Sequence, residues 1–113
     1  IYAVLWEQRQ GPWENAVWTG PGSGLYKSED GGDTWRPLTT GLPTFAEGLG
    51  RMGITVAPSD HRRLYAAVDA GANGGIFRSD DGGETWRRTN NDTRVVARPN
   101  DAADIRVHPD NPD

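Results

Sequence analysis

One eight-residue segment occurs twice in this chain. Ser28-Glu-Asp-Gly-Gly-Asp-Thr-Trp35 returns as Ser79-Asp-Asp-Gly-Gly-Glu-Thr-Trp86, and both read S-x-D-x-G-x-T-W. The offset from position 28 to position 79 is 51 residues. It holds outside the segment as well. Gly24-Leu-Tyr-Lys-Ser28 matches Gly75-Ile-Phe-Arg-Ser79, and Ile54-Thr-Val-Ala-Pro58 matches Ile105-Arg-Val-His-Pro109, each at the same offset. Separate blocks in one register argue for structural repeats. A period of about 40–50 residues with short strands and frequent turns suits the four-stranded blade of a propeller.

The local patterns agree with that period. Ile54 and Val56 alternate, as do Ile105 and Val107, which is the period of a half-buried strand. Leu64-Tyr-Ala-Ala-Val68 and Ile1-Tyr-Ala-Val-Leu5 are apolar runs bounded by polar or Gly-rich segments. The Asp-Gly-Gly turns between apolar runs read as hairpins. Helical periodicity is absent, and 15 Gly and 8 Pro leave little room for long helices. The expected strands of a full repeat are A at 52–57, B at 64–68, C at 75–79 and D at 85–89. The earlier repeat supplies B at 1–5, C at 24–28 and D at 34–38, and A of a third falls at 104–108. The fold class expected is all-β, a propeller segment of two four-stranded antiparallel blades with the acidic segment as C–D turn. The repeats run over about 1–50 and 51–101, with the third blade's strand A at 102–113.

Within each turn the residue types have separate tasks. Asp30 and Asp81 are short carboxylates placed to accept from turn N–H groups. Gly32 and Gly83 supply positive φ. Ser28, Ser79, Thr34 and Thr85 add hydroxyl bonds, and Trp35 and Trp86 offer apolar surface to lock the turn onto its blade. Carboxylates repeated once per blade are structural in this reading, and no catalytic residue is assigned. The turns lack the full spacing of a calcium loop, and no metal or cofactor is expected.

The S-x-D-x-G-x-T-W pattern resembles the Asp-box, or bacterial neuraminidase repeat, of sialidases, sortilin-type receptors, xyloglucanases and photosystem II assembly factors. The wider pattern, with Arg36-Pro-Leu-Thr-Thr-Gly-Leu-Pro43 and Arg51-Met-Gly-Ile-Thr-Val-Ala-Pro58, is most similar to bacterial sortilin-like multi-blade propellers. The resemblance covers essentially the whole chain and implies a propeller fold and an exported or periplasmic parent. It leaves function open, because one scaffold hosts hydrolases, receptors and assembly factors.

Two blades expose faces that further repeats normally cover. The expectation is either a piece of a longer propeller or self-association, with three or four copies closing a ring head to tail. A formal charge of −4 argues against generic nucleic-acid binding. No apolar run reaches the roughly 18–20 residues of a membrane span. The chain has no Cys, hence no disulfide or thiolate site.

The first repeat carries an insertion at 6–22. Tyr2 to Tyr26 is 24 positions, whereas Tyr65 to Phe77 is 12. The insertion holds Trp6, Trp13 and Trp18, three of the five Trp. Aromatics beside Glu, Gln, Arg and Asn suit sugar rings or a protein partner; the alternative is a hairpin packed on the adjacent blade. Arg51 precedes an inner strand, from which its guanidinium reaches toward a ligand carboxylate or serves a structural ion pair. Arg62 and Arg63 read as a solvated pair on the A–B turn. The leading function is a non-catalytic binding or scaffold module for protein or carbohydrate. The alternatives are a fragment of a glycoside hydrolase with its catalytic carboxylates elsewhere, and a self-assembling structural unit.

Overall fold

The chain is described by a computed structural model over residues 1–13, 15–96 and 104–113. Its strands form two antiparallel sheets, with no α-helix among the described residues. Sheet 1 has β1 (Tyr2–Leu5), β2 (Gly24–Lys27) and β3 (Arg36–Leu38), in that order. Sheet 2 has β4 (Met52–Ala57), β5 (Asp60–Val68), β6 (Gly75–Ser79) and β7 (Arg87–Asn90), also in chain order. Within each sheet consecutive strands pair because each is joined to the next by a short turn or a hairpin loop.

Both sheets share one register. Tyr2 lies opposite Lys27 and Leu5 opposite Gly24, as Tyr65 lies opposite Arg78 and Val68 opposite Gly75. Lys27 lies opposite Arg36 as Arg78 lies opposite Arg87. Side chains alternate between the faces of a strand. Tyr2, Val4, Leu25 and Leu38 therefore share the face that meets sheet 2, whose Met52, Leu64, Ala66 and Phe77 close the core. Leu25, Leu64 and Val68 are almost wholly buried; burying a side chain of this size is worth about 1.5–3 kcal/mol. The Tyr2 face of sheet 1 corresponds by register to the Tyr65 face of sheet 2, which points away from sheet 1. The sheets thus stack front to back, not face to face by symmetry.

The loop from β3 to β4 completes the junction. Its Leu42 and Leu49 join the core. The Trp86 N–H donates to the Thr40 carbonyl at 2.9 Å. Gly41 beside it has φ 85°, and a Cβ there would lie 2.0 Å from the Trp86 carbonyl oxygen. Only glycine allows so close an approach.

Sheet 1 shows the three strands B, C and D read for the earlier repeat, and sheet 2 the four of a full repeat. Several other expectations are corrected. Residues 104–108 are not a strand; an isolated strand has no ladder partner, and this segment lies against sheet 2 instead. Strand β5 starts at Asp60, so Arg62 and Arg63 sit within it and not on a turn. Strands β3 and β7 begin after their Trp residues, which belong to the turns. Glu14 of the insertion and the expected repeat boundary at 101–102 lie outside the described residues.

Candidate functional site

The two acidic turns have the same bonds. Ser28 Oγ donates to Asp30 Oδ1 at 2.8 Å and accepts from the Gly32 N–H at 2.8 Å. Asp30 accepts from the Thr34 N–H at 2.9 Å and from the Thr34 hydroxyl. Trp35 Nε1 donates to the Gly32 carbonyl at 2.9 Å. Ser79, Asp81, Gly83, Thr85 and Trp86 repeat all five bonds at distances within about 0.1 Å of these. Hydrogen bonds from Thr85 hold the Asp81 carboxyl down to about 2, from an ordinary 3.8, against a smaller opposing effect of burial. The corresponding bonds from Thr34 hold Asp30 below the usual carboxylate range.

The two Trp side chains differ in spite of this identity. Trp86 is 6% exposed and Trp35 is 42% exposed. Trp86 shares the core with Leu25 and Leu38 of sheet 1, while among the described residues no sheet lies on the corresponding side of Trp35. Both indoles lie on their own turns through the bond to the glycine carbonyl, and Trp86 is in addition part of the core.

At the opposite rim the inserted segment forms a hairpin. Arg9 and Val17 exchange backbone bonds, both at 2.8 Å. Trp6 and Trp18 stack at its base with centroids 6.0 Å apart and planes inclined by 19°. Trp6 Nε1 donates to the Trp18 carbonyl at 2.8 Å. The Arg51 guanidinium sits 5.5 Å from the Trp6 ring centroid, a cation–π distance. Glu7 accepts from the Gly22 N–H at 2.6 Å, and the Thr19 hydroxyl donates to the Leu49 carbonyl. The hairpin is thereby fastened to both the β2 and the β4 approaches. Trp6, Trp18 and Arg51 come together; Trp13 stands apart at the tip and is 95% exposed.

Sequence reasoning missed Asp69. It directly follows β5, the place that Trp6 holds after β1 in the shared register. Its N–H donates to the Arg51 carbonyl at 2.9 Å, and its own carbonyl accepts from the Gly50 N–H at 2.8 Å. A Cβ on Gly50 would meet the Asp69 carboxylate at 2.9 Å and the Trp18 carbonyl at 3.0 Å. Burial pushes the Asp69 carboxyl up. The only sequence signal was that correspondence with Trp6, which the insertion obscures. The rim thus offers one open indole, a braced aromatic pair, a cation and a half-buried acid. Glu7 is engaged at Gly22, and Asp30 and Asp81 in their turns, so these acids are committed to local structural bonds.

Comparison with known proteins gives two partial similarities. The chain is 35% identical over 71 residues to an oligoxyloglucan-reducing end-specific xyloglucanase of Emericella nidulans, covering 62% of this chain and 8% of that protein. It is 36% identical over 76 residues to a xyloglucanase of a Paenibacillus species, covering 66% of this chain and 7% of that protein. The chain therefore spans less than a tenth of the length of these relatives. No protein-family model matches the chain, and no solved structure matches it at a significant level. The similarities relate the chain to a fragment of glycoside hydrolases.

Proposed function

We propose that the chain is a segment of an Asp-box β-propeller that binds a β-glucan of the xyloglucan class without itself cleaving it. The Trp hairpin is the contact, with Trp13 stacking on a sugar ring and the Trp6–Trp18–Arg51 cluster holding the hairpin in place. The carrying observation is the exposure of Trp13, 95%, on a hairpin whose base is bonded to both neighbouring strands. An indole kept in water on a braced support favours ligand contact over core packing. The xyloglucanase similarities favour carbohydrate over protein as ligand, and draw the reading toward those enzymes and away from the sortilin-like receptors.

Isothermal titration with a xyloglucan oligosaccharide tests this. Trp13→Ala is expected to weaken binding about tenfold, or ~1.4 kcal/mol, whereas Trp35→Ala, at the other rim, leaves it unchanged. Binding that is indifferent to Trp13→Ala refutes the reading. A second reading rests on the same similarities: the segment belongs to a glycoside hydrolase whose two catalytic carboxyls lie outside these residues. Release of reducing sugar by the chain alone would contradict both.

A further inference from the structure

The contacts between the sheets form a small recognition unit. From sheet 1 the Tyr2 hydroxyl donates to the Gly82 carbonyl at 2.8 Å. Lys27 Nζ and Arg36 Nη2 hold the Glu84 carboxylate at 3.0 and 2.5 Å. The sheet supplies a phenol and two cations; the turn supplies a carbonyl and an acid.

The same three positions recur on the far face of sheet 2 as Tyr65, Arg78 and Arg87. There the Tyr65 hydroxyl donates to the Pro112 carbonyl at 2.9 Å. Arg78 holds the Asp113 carboxylate at 2.9 Å, and Arg63, its side chain 15% exposed, also pairs with it and with Asp80. A carbonyl and an acid of the 104–113 segment thus stand where Gly82 and Glu84 stand on sheet 1. This also accounts for Arg63, expected in solvent and found paired.

The matching turn is at the other end of the molecule. Asp33 is the counterpart of Glu84. It is exposed and makes no ion pair among the described residues. Behind it lie Ile1 at 62% and Leu5 at 53% exposure, whose register counterparts Leu64 and Val68 are at 0%.

We propose that the Tyr65–Arg78–Arg87 face docks a second copy of this chain. The incoming copy presents its first acidic turn, sets Asp33 between Arg78 and Arg87, and covers its own Ile1, Leu5 and Trp35. The 104–113 segment occupies the face in the single chain and is displaced on docking. A second copy fits because its open face carries the residue classes that the molecule already uses internally, with opposite charges in register. The two patches differ, so the contact is heterologous and propagates into a ring or a filament. This proposal is independent of the glucan reading, which concerns the opposite rim.

Sedimentation equilibrium of the 113-residue chain tests it. Self-association is expected below about 1 mM, a standard free energy near −4 kcal/mol. Arg87→Glu and Asp33→Arg alter exposed side chains outside the core, and each is expected to weaken association at least tenfold. The double variant Arg87→Glu/Asp33→Arg is expected to restore it. Asp113→Ala is expected to strengthen it several-fold by releasing Arg63 and Arg78 from the 104–113 segment, both arginines keeping their pair with Asp80. A chain that stays monomeric to that concentration, association indifferent to either charge change, or failure of the double variant to recover overturns the proposal. So does association abolished by Trp13→Ala, which would place the interface at the hairpin. Weaker association of Asp113→Ala overturns the displacement of the 104–113 segment.

Discussion

The Asp81 carboxylate holds its turn with bonds that are strongest while it is charged. Its folded-state pKa of about 2 lies below its ordinary 3.8. The stabilisation is therefore full above the ordinary value and is lost as pH falls through the folded one. Asp30 acts in the same sense, whereas Asp69, raised by burial, acts in the opposite one. Asp81→Asn is expected to lower the urea midpoint at pH 7, and the gap from the parent should narrow steadily between about pH 4 and pH 2. A gap of constant size would show that the turn depends on shape and not on ionisation. These roles were legible because Ser, Asp, Gly, Thr and Trp recur at fixed spacing and bond within four positions of one another. Asp69 was not legible, since its contacts are with Gly50 and Arg51, across the sheet in a segment distant in sequence.

Among the elements, the Trp hairpin is the one attached mainly by side chains. Trp6 makes an indole hydrogen bond, a ring stack and a cation contact at its base. Removing it takes away three contacts that orient the hairpin and leaves those of Glu7 and Thr19. Trp6→Ala is expected to speed tryptic cleavage after Arg9 at least tenfold, with the far-UV spectrum of the sheets unchanged, because local opening there becomes easier by over ~1 kcal/mol. An unchanged cleavage rate would mean that the hairpin is held without Trp6, by Glu7, Thr19 and its backbone bonds. Strand positions were read well where apolar alternation was strong: β4 and β6 fall where expected. The 104–108 run has the same alternation yet is not a strand, because alternation reports a face to bury and not the presence of a neighbour to pair with.

For the whole molecule, the stacking of the sheets decides what a residue is worth. Trp35 and Trp86 have the same local bonds, but among the described residues only Trp86 has a sheet against it. Trp86→Ala is expected to cost about 3–5 kcal/mol, the range for a buried Trp, and Trp35→Ala less than half as much. Urea unfolding of the two variants measures this; equal losses would show that the turn, not the stacking, carries the energy. This asymmetry was invisible in the sequence, where the two segments are equivalent. The inserted hairpin adds 12 residues between β1 and β2 compared with the β5–β6 connection, yet the pairing of Tyr2 with Lys27 matches that of Tyr65 with Arg78. Length at that rim is thus uncoupled from the fit between sheets. The architecture can exchange or extend the loops of the hairpin rim one repeat at a time, while the opposite rim, fixed by the acidic turns, keeps the scaffold constant.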